Sequence, residues 1–247
     1  MLITFSGLDG AGKSTLIARL RSYFEARGRP VVVLTMYDDL TCFSHLRAAR
    51  DAVKQFGRRV LGRPEPPPPV LTLDERGHAV GATSRGARIV YQATRNVTLR
   101  QVACLIDLVI ASLRLRRHAR DPNCVVLLDR YFYDSMVDIA GASRRCWFYS
   151  VREAANLRPR RLRYVRCLIA LARKPDAAVL VDVPPEVAFD RKPEYPVAYL
   201  AARRVVYRRL FTDFVDRAAV LDNQDGSAAF ERLLAIVAGG HGTRRVA

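Results

Sequence analysis

Short apolar runs alternate with longer stretches of helical spacing along most of this chain. Leu2-Ile3-Thr4-Phe5-Ser6 is apolar and β-prone, and from residue 15 to 27 Leu16, Leu20, Tyr23 and Phe24 recur on one side. The pattern predicts a strand over residues 2–6 and a helix over about 13–27, ended by Gly28-Arg29-Pro30. Residues 31–35 form a continuous apolar run, as in strands buried within parallel sheets. Further strands are expected at 124–128, 177–183 and 218–222, and helices at 41–61, 93–117, 162–172, 199–214 and 227–237. Strands alternating with helices predict an α/β fold in one domain over residues 1–247, its parallel sheet covered on both faces. Ligands of such sheets gather at the strand C-terminal ends.

Residues 62–87 break the pattern. Gly62-Arg63-Pro64-Glu65-Pro66-Pro67-Pro68-Pro69 is polyproline-like and the remainder is glycine-rich and charged. The segment reads as a flexible or extended insert, or as a flap over a binding site.

Composition narrows the classes. Half of the 247 residues are hydrophobic, enough for a buried core, yet no apolar run reaches the roughly 20 residues needed to cross a bilayer. The first strand begins at the N-terminus, so no signal peptide is expected. The five cysteines are scattered without a C-x-x-C pair, which argues against a zinc site or disulfide framework and for a reduced, cytoplasmic protein. The net charge of +17 invites a nucleic-acid reading, but the lysines are only Lys13, Lys54, Lys174 and Lys192. Arginine suits small phosphates as well as polymers, and nucleic acid is not the expected partner. The densest bases, at 114–120 and 158–166, fit either a phosphate-facing edge or solvated helix faces.

Chemistry concentrates at the strand ends. Gly7-Leu8-Asp9-Gly10-Ala11-Gly12-Lys13-Ser14 is a complete G-x-x-x-x-G-K-[ST] loop between a predicted strand and a predicted helix. Its glycines let backbone N–H groups wrap an anion at a helix N-terminus, Lys13 can reach β- and γ-phosphates, and the Ser14 hydroxyl can hold Mg²⁺. Gly7, Gly10, Ala11, Gly12, Lys13, Ser14 and Thr15 are therefore the expected nucleotide-binding residues. Val125-Val126-Leu127-Leu128-Asp129 is an apolar strand ending in a carboxylate, which places Asp129 as a second metal ligand. Arg130 projects at the same edge as a phosphate ligand or a surface ion pair. Asp182, ahead of Pro184-Pro185, reads chiefly as a turn or cap residue.

Arg191 and Lys192 lie between two helices, where mobile bases can meet the charge of a transferred phosphoryl group. Arg203, Arg204 and Arg208 follow on the next helix, as site residues or as a solvated face. Tyr131, Phe132, Tyr133, Trp147, Phe148 and Tyr149 suit either core packing or stacking on an acceptor, and Tyr131 is the acceptor candidate because it adjoins Arg130.

The loop Gly7 to Thr15, the sequence Asp129-Arg130-Tyr131 with Ser135 downstream, and the strand from Pro175 to Ala188 together resemble the thymidylate kinases. The resemblance covers most of the chain outside residues 62–87 and about 141–160. It implies a three-layer P-loop kinase fold with a five-stranded parallel sheet, ATP and Mg²⁺ as cofactors, and a homodimer packed through long helices. It implies that Lys13, Asp9, Arg130 and Arg191 carry catalysis, that Asp9, Arg130 and Tyr131 face the acceptor, and that residues 223–225 lie near the adenine. Gly10 stands where one family branch has an arginine, which shifts the catalytic arginine to Arg191 with Lys192.

Departures fall on the acceptor side. Met36-Tyr37-Asp38-Asp39 replaces an Arg-Glu-Pro segment, Leu108 beside Asp107 replaces an arginine near the thymine, and Val137-Asp138-Ile139-Ala140-Gly141 replaces Ala-Tyr-Gln-Gly. The expected activity is Mg²⁺-ATP-dependent phosphoryl transfer to a nucleoside monophosphate. The alternatives are a kinase of a non-nucleotide small molecule such as a sugar or biosynthetic intermediate, a nucleotide-binding regulatory protein, and a basic nucleic-acid-associated ATPase.

Overall fold

The computed structural model describes residues 1–36, 72–73, 79–80, 97–118, 121–141 and 173–239. Its central strand, β1 (Leu2–Gly7), is buried at every position, which its apolar sequence permits. β2 (Val31–Thr35), β5 (Val125–Asp129), β6 (Ala177–Asp182) and β7 (Ala218–Asp222) complete a sheet in the order β2-β5-β1-β6-β7, with every pair parallel. The expected α/β fold with a five-stranded parallel sheet is what the chain adopts. The register aligns the strand C-termini: Asp129 lies level with Phe5 and Thr35, Gly7 with Val181, and Asp182 with Asp222. Every strand-end motif therefore arrives at one edge.

Helix α1 (Lys13–Glu25) and α6 (Gly226–Ala238) pack together against the sheet. α3 (Phe132–Gly141) and α5 (Val197–Phe214) form a second packed pair against it, with α2 (Val97–His118) on α3 and the short α4 (Pro185–Arg191) on α5. The aromatic residues after β5 supply the α3–α5 contact. Tyr133 meets Tyr131 and Phe211 edge-on, at centroid separations of 5.1 and 5.2 Å. These edge-to-face contacts add to the area they bury.

The hydrophobic pattern over residues 132–141 does not predict the helix α3 that forms there. Its segment is rich in aromatic and β-branched residues, which are indifferent helix formers, and tertiary packing sets its conformation instead. Within the predicted insert, β3 (Thr72–Leu73) and β4 (Ala79–Val80) form an antiparallel pair. The helices expected at 41–61 and 162–172, and Trp147, Phe148 and Tyr149, lie outside the described residues. No helix among the described residues is long and apolar enough to cross a membrane.

Asp182 corrects one expectation. The cap of α4 is Pro184, and the Asp182 carboxylate, nearly buried, instead receives Arg204 Nε and Nη2 at 2.7 and 2.8 Å and Arg208 Nε at 3.0 Å. Arg204 and Arg208 thus tie α5 to the end of β6 rather than facing a ligand. The hydrogen bond from Arg204 to Asp182 also raises the arginine's already high pKa. Asp182→Asn is expected to cost about 2 kcal/mol, less than the loss of a fully buried pair because both arginines reach solvent. The matching fall in thermal midpoint is roughly 4–8 °C, checked by calorimetry.

Candidate active site

The loop after β1 owes its shape to glycines with positive φ. Gly7, Gly10 and Gly12 have φ values of 142°, 83° and 86°. A Cβ at Gly7 would strike the Val181 carbonyl oxygen, and one at Gly10 would strike that of Ala188. Gly12 is the N-cap of α1, with no side-chain cap bond and no acidic residue in the first turn. By contrast, the N-terminus of α6 is closed by the Asp225 carboxylate, which accepts the Ser227 N–H at 2.9 Å. The α1 terminus therefore has no side-chain cap on its N–H groups, as an anion-binding turn requires.

Lys13 folds back over this loop. Its Nζ donates to the Leu8 carbonyl at 2.7 Å and to the Gly7 carbonyl at 3.1 Å. Burial pushes the ammonium down to about 8, and the Arg130 charge acts in the same direction against the pull of Asp134, Asp9 and Asp129. A desolvated cation of this kind favours an arriving phosphate.

Ser14 and Asp129 come together as expected, with Ser14 Oγ donating to Asp129 Oδ2 at 3.3 Å. Asp129 Oδ1 is buried and has no hydrogen-bond partner among the described residues. A hydroxyl and a carboxylate with an unsatisfied oxygen form a hard-oxygen donor pair that fits Mg²⁺.

Arg130 occupies the left-handed region at φ 66°, fixed by its N–H bond to the Phe5 carbonyl at 2.8 Å. Its guanidinium joins Asp9 through Nη2 and approaches Asp134 Oδ1 through Nη1 at 3.5 Å. Burial by itself would raise the Asp9 carboxyl. Arg130, followed by Lys13, Arg203 and Lys192, outweighs it and holds the carboxyl below the usual carboxylate range. Of the four arginines of α5, Arg203, 7% exposed, is the one whose charge helps lower the Asp9 carboxyl.

Arg191 extends from the end of α4 across to the loop after β7. Its Nη1 and Nη2 donate to the Asn223 and Gln224 carbonyls at 3.1 and 3.2 Å. Asn223 in turn donates its side-chain amide to the Ala11 carbonyl at 2.7 Å, stapling the glycine loop to β7. Beside this staple lies an open cavity of about 210 Å³, lined by Gly12, Thr15, Arg19, Arg191, Asn223 and Gly226.

Tyr131 departs from its expected role. It is fully buried, and its hydroxyl donates to the Arg173 carbonyl at 2.6 Å. Burial also raises its pKa. Its ring belongs to the core and offers no face to an acceptor. Ser135, matched to the family's serine, is half-buried, and the neighbouring Asp134 is the residue drawn into the site. Leu108 is 2% exposed and packs in the core. Tyr37, Asp38 and Asp39 lie outside the described residues.

The glycine loop, the Ser14–Asp129 pair and the Asp9–Arg130 ion pair thus share one sheet edge. Known proteins of matching sequence carry one name. The thymidylate kinase of Bifidobacterium longum subsp. infantis is 26% identical over 237 residues, covering 94% of this chain and 82% of that protein. The thymidylate kinase of B. longum strain DJO10A is 26% identical over 241 residues, 96% of this chain and 95% of that protein.

In sequence the chain is similar to thymidylate kinases along nearly its whole length.

A third thymidylate kinase, from Chlorobaculum tepidum, is 56% identical but over only 34 residues, 14% of this chain. No family model matches the chain. Low identity spread over almost the whole length, with a short stretch of high identity, is what a divergent thymidylate kinase-like chain displays. Asp134 has no signal in the sequence pattern, and Asn223, expected near the adenine, has an unexpected bond to the glycine loop. Asp134 lies in the unpredicted helix α3, and Asn223 acts on a loop more than 200 positions away.

Proposed function

We propose that the protein is a Mg²⁺-ATP-dependent nucleoside monophosphate kinase with a thymidylate-like acceptor. The observation that carries this reading is the caged Lys13, set in a loop with an uncapped helix end and facing both the Ser14–Asp129 pair and the Asp9–Arg130 pair. The relatives named thymidylate kinase support the same reaction class.

On this reading Lys13 exchanges the Gly7 and Leu8 carbonyls for donor phosphate oxygens. Ser14 and Asp129 would hold Mg²⁺, which when bound would supply charge neutralisation to the donor phosphates. The cavity beside α1 receives the nucleoside end of ATP. Arg130 releases Asp9 to bind the acceptor phosphate, and Arg191, poised beside Gly12, meets charge on the transferred group. The acceptor oxygen is already anionic, so positioning and electrostatics suffice and no strong base is required.

The test is ADP formation from Mg²⁺-ATP with a panel of nucleoside monophosphates that includes dTMP. One monophosphate is expected to drive it. Silence across the panel, with ATP binding retained, would overturn the reading. The buried Leu108, where the family carries an arginine, favours a second reading in which the acceptor lacks thymine. Sugars and phosphorylated biosynthetic intermediates extend the panel for that case.

The homodimer belongs to the same proposal. Ile106, Val109 and Leu113 recur at helical spacing on α2 and are about half exposed, at 46%, 53% and 54%. Such an apolar stripe suits a second copy of the same helix. Sedimentation is expected to give a dimer that Leu113→Glu dissociates. A wild-type monomer at micromolar concentration would refute it.

A further inference from the structure

Asp134 is a fully buried carboxylate that the proposed phosphoryl transfer does not itself use. Groups from four places converge on it. Ser6 Oγ on β1 donates at 2.7 Å, the Tyr131 N–H at 3.0 Å, the Tyr207 hydroxyl on α5 at 2.6 Å, and Arg130 Nη1 stands at 3.5 Å. Four donors match the lone-pair capacity of one carboxylate, the condition for burying it ionised. The short bond from Tyr207 has the length of a charge-assisted one.

The contacts continue beyond Tyr207. Arg203 Nη2 donates to the Tyr207 hydroxyl at 3.4 Å, and Arg203 Nη1 donates to the Tyr199 hydroxyl at 3.0 Å. The Tyr199 ring stacks on Tyr195, in the segment joining α4 to α5, at 5.0 Å. A polar path therefore runs from Asp9 in the glycine loop through Arg130, Asp134 and Tyr207 to Arg203 and the base of the Arg191–Tyr195 segment.

We propose that Asp134 and Tyr207 are positioning residues that set Arg130 and Arg203 as one pre-aligned pair for the acceptor phosphate. The inference rests on the monophosphate kinase reading and deepens it. Asp9 and Asp134 divide the Arg130 guanidinium between them, but they differ in access. Asp9 is partly exposed, with 19% of its side chain accessible, so an entering phosphate can displace it from Nη2. Asp134 is sealed and keeps Nη1, so Arg130 reorients about a fixed point. Arg203 is held on the same network, its Nη2 donating to the Tyr207 hydroxyl that in turn donates to Asp134, and its charge is among those that lower the Asp9 carboxyl. Alignment fixed before binding spares the ordering cost when the phosphate arrives.

The test uses the full chain with Tyr207→Phe, which keeps the packed ring, and Asp134→Asn, which keeps the shape. The probes are ATP and the monophosphate that wild type turns over best. Tyr207→Phe is expected to raise the monophosphate KM about tenfold, with the ATP KM within about twofold, and to lower the melting temperature by a few degrees because buried Asp134 loses one donor. Asp134→Asn is expected to lower kcat/KM for the monophosphate about 100-fold, and adding Tyr207→Phe to it changes little more, since both act through one network. The two KM values rising to a similar extent would mark a merely structural role and overturn the proposal.

A measurement independent of turnover separates this failure from that of the kinase reading. The ¹⁵N side-chain spectrum of Arg130, assigned through Arg130→Lys, is expected to show slow guanidinium rotation in wild type and averaging in Asp134→Asn. Should wild type phosphorylate no monophosphate, the kinase reading falls, and an Arg130 spectrum unchanged in Asp134→Asn overturns the positioning role as well.

Discussion

Lys13→Ala is expected to reduce ATP-dependent turnover by about 1,000-fold or more while the protein stays folded. The two halves of this expectation have separate causes. The ammonium is desolvated beside Arg130, and burial depresses its pKa, so its charge gains little from the ligand-free fold. Its bonds to Gly7 and Leu8 satisfy carbonyls at the end of β1, where water can replace it once the side chain is removed. The melting temperature is therefore expected to move by only a few degrees. Phosphoryl transfer, by contrast, spreads charge over the moving group, and a pre-aimed cation acts at full strength in a dry site. Steady-state kinetics and calorimetry on the same preparation check both halves. Turnover within tenfold of wild type would remove Lys13 from the donor site.

The sequence made the fold readable where local pattern and global position agree. The continuous apolar runs of β1, β5 and β6 are strands buried in the parallel sheet. The equally apolar β2, whose pattern predicts burial, is instead a partly exposed edge strand, a place that only the sheet order decides. The glycine loop with its Lys13 and Ser14 is a local motif whose geometry follows from its own residues. The same holds for Asp129, at the tip of an apolar strand. What stayed illegible depends on partners distant in sequence. Asp182 looks like a cap because Pro184 and Pro185 follow it, yet its oxygens are claimed by Arg204 and Arg208 on α5. Tyr131 looks like a site residue because it adjoins Arg130. The left-handed backbone at Arg130 sends the two side chains to different surroundings, and the tyrosine ends in the core against Arg173. Arg203 could not be told from Arg204 or Arg208 by composition or spacing. Only the packing of α5 shows that Arg203 bonds the Tyr207 hydroxyl beside Asp134 while the other two bind Asp182 at the end of β6.

Gly10→Ala is expected to weaken ATP binding about 100-fold and to lower the melting temperature by roughly 6–10 °C, because it strains one backbone position and displaces another. At φ 83° an alanine pays the left-handed penalty of about 1 kcal/mol. The larger effect is steric. The added Cβ would fall on the Ala188 carbonyl oxygen, which already accepts the Lys192 N–H at 3.0 Å and so closes the C-terminus of α4. Loop and helix must then separate, which displaces the phosphate cradle and the base of the Arg191–Lys192 segment together. Gly28 supplies the control. It has nearly the same conformation, with φ 71°, but nothing lies within 4 Å of an added Cβ. Gly28→Ala should show the conformational penalty alone, about 1 kcal/mol, with unchanged ATP affinity. Equal losses in the two variants would mean that the close approach of the loop to α4 contributes nothing. A loss of affinity confined to Gly10→Ala assigns to that contact the shape of the phosphate site.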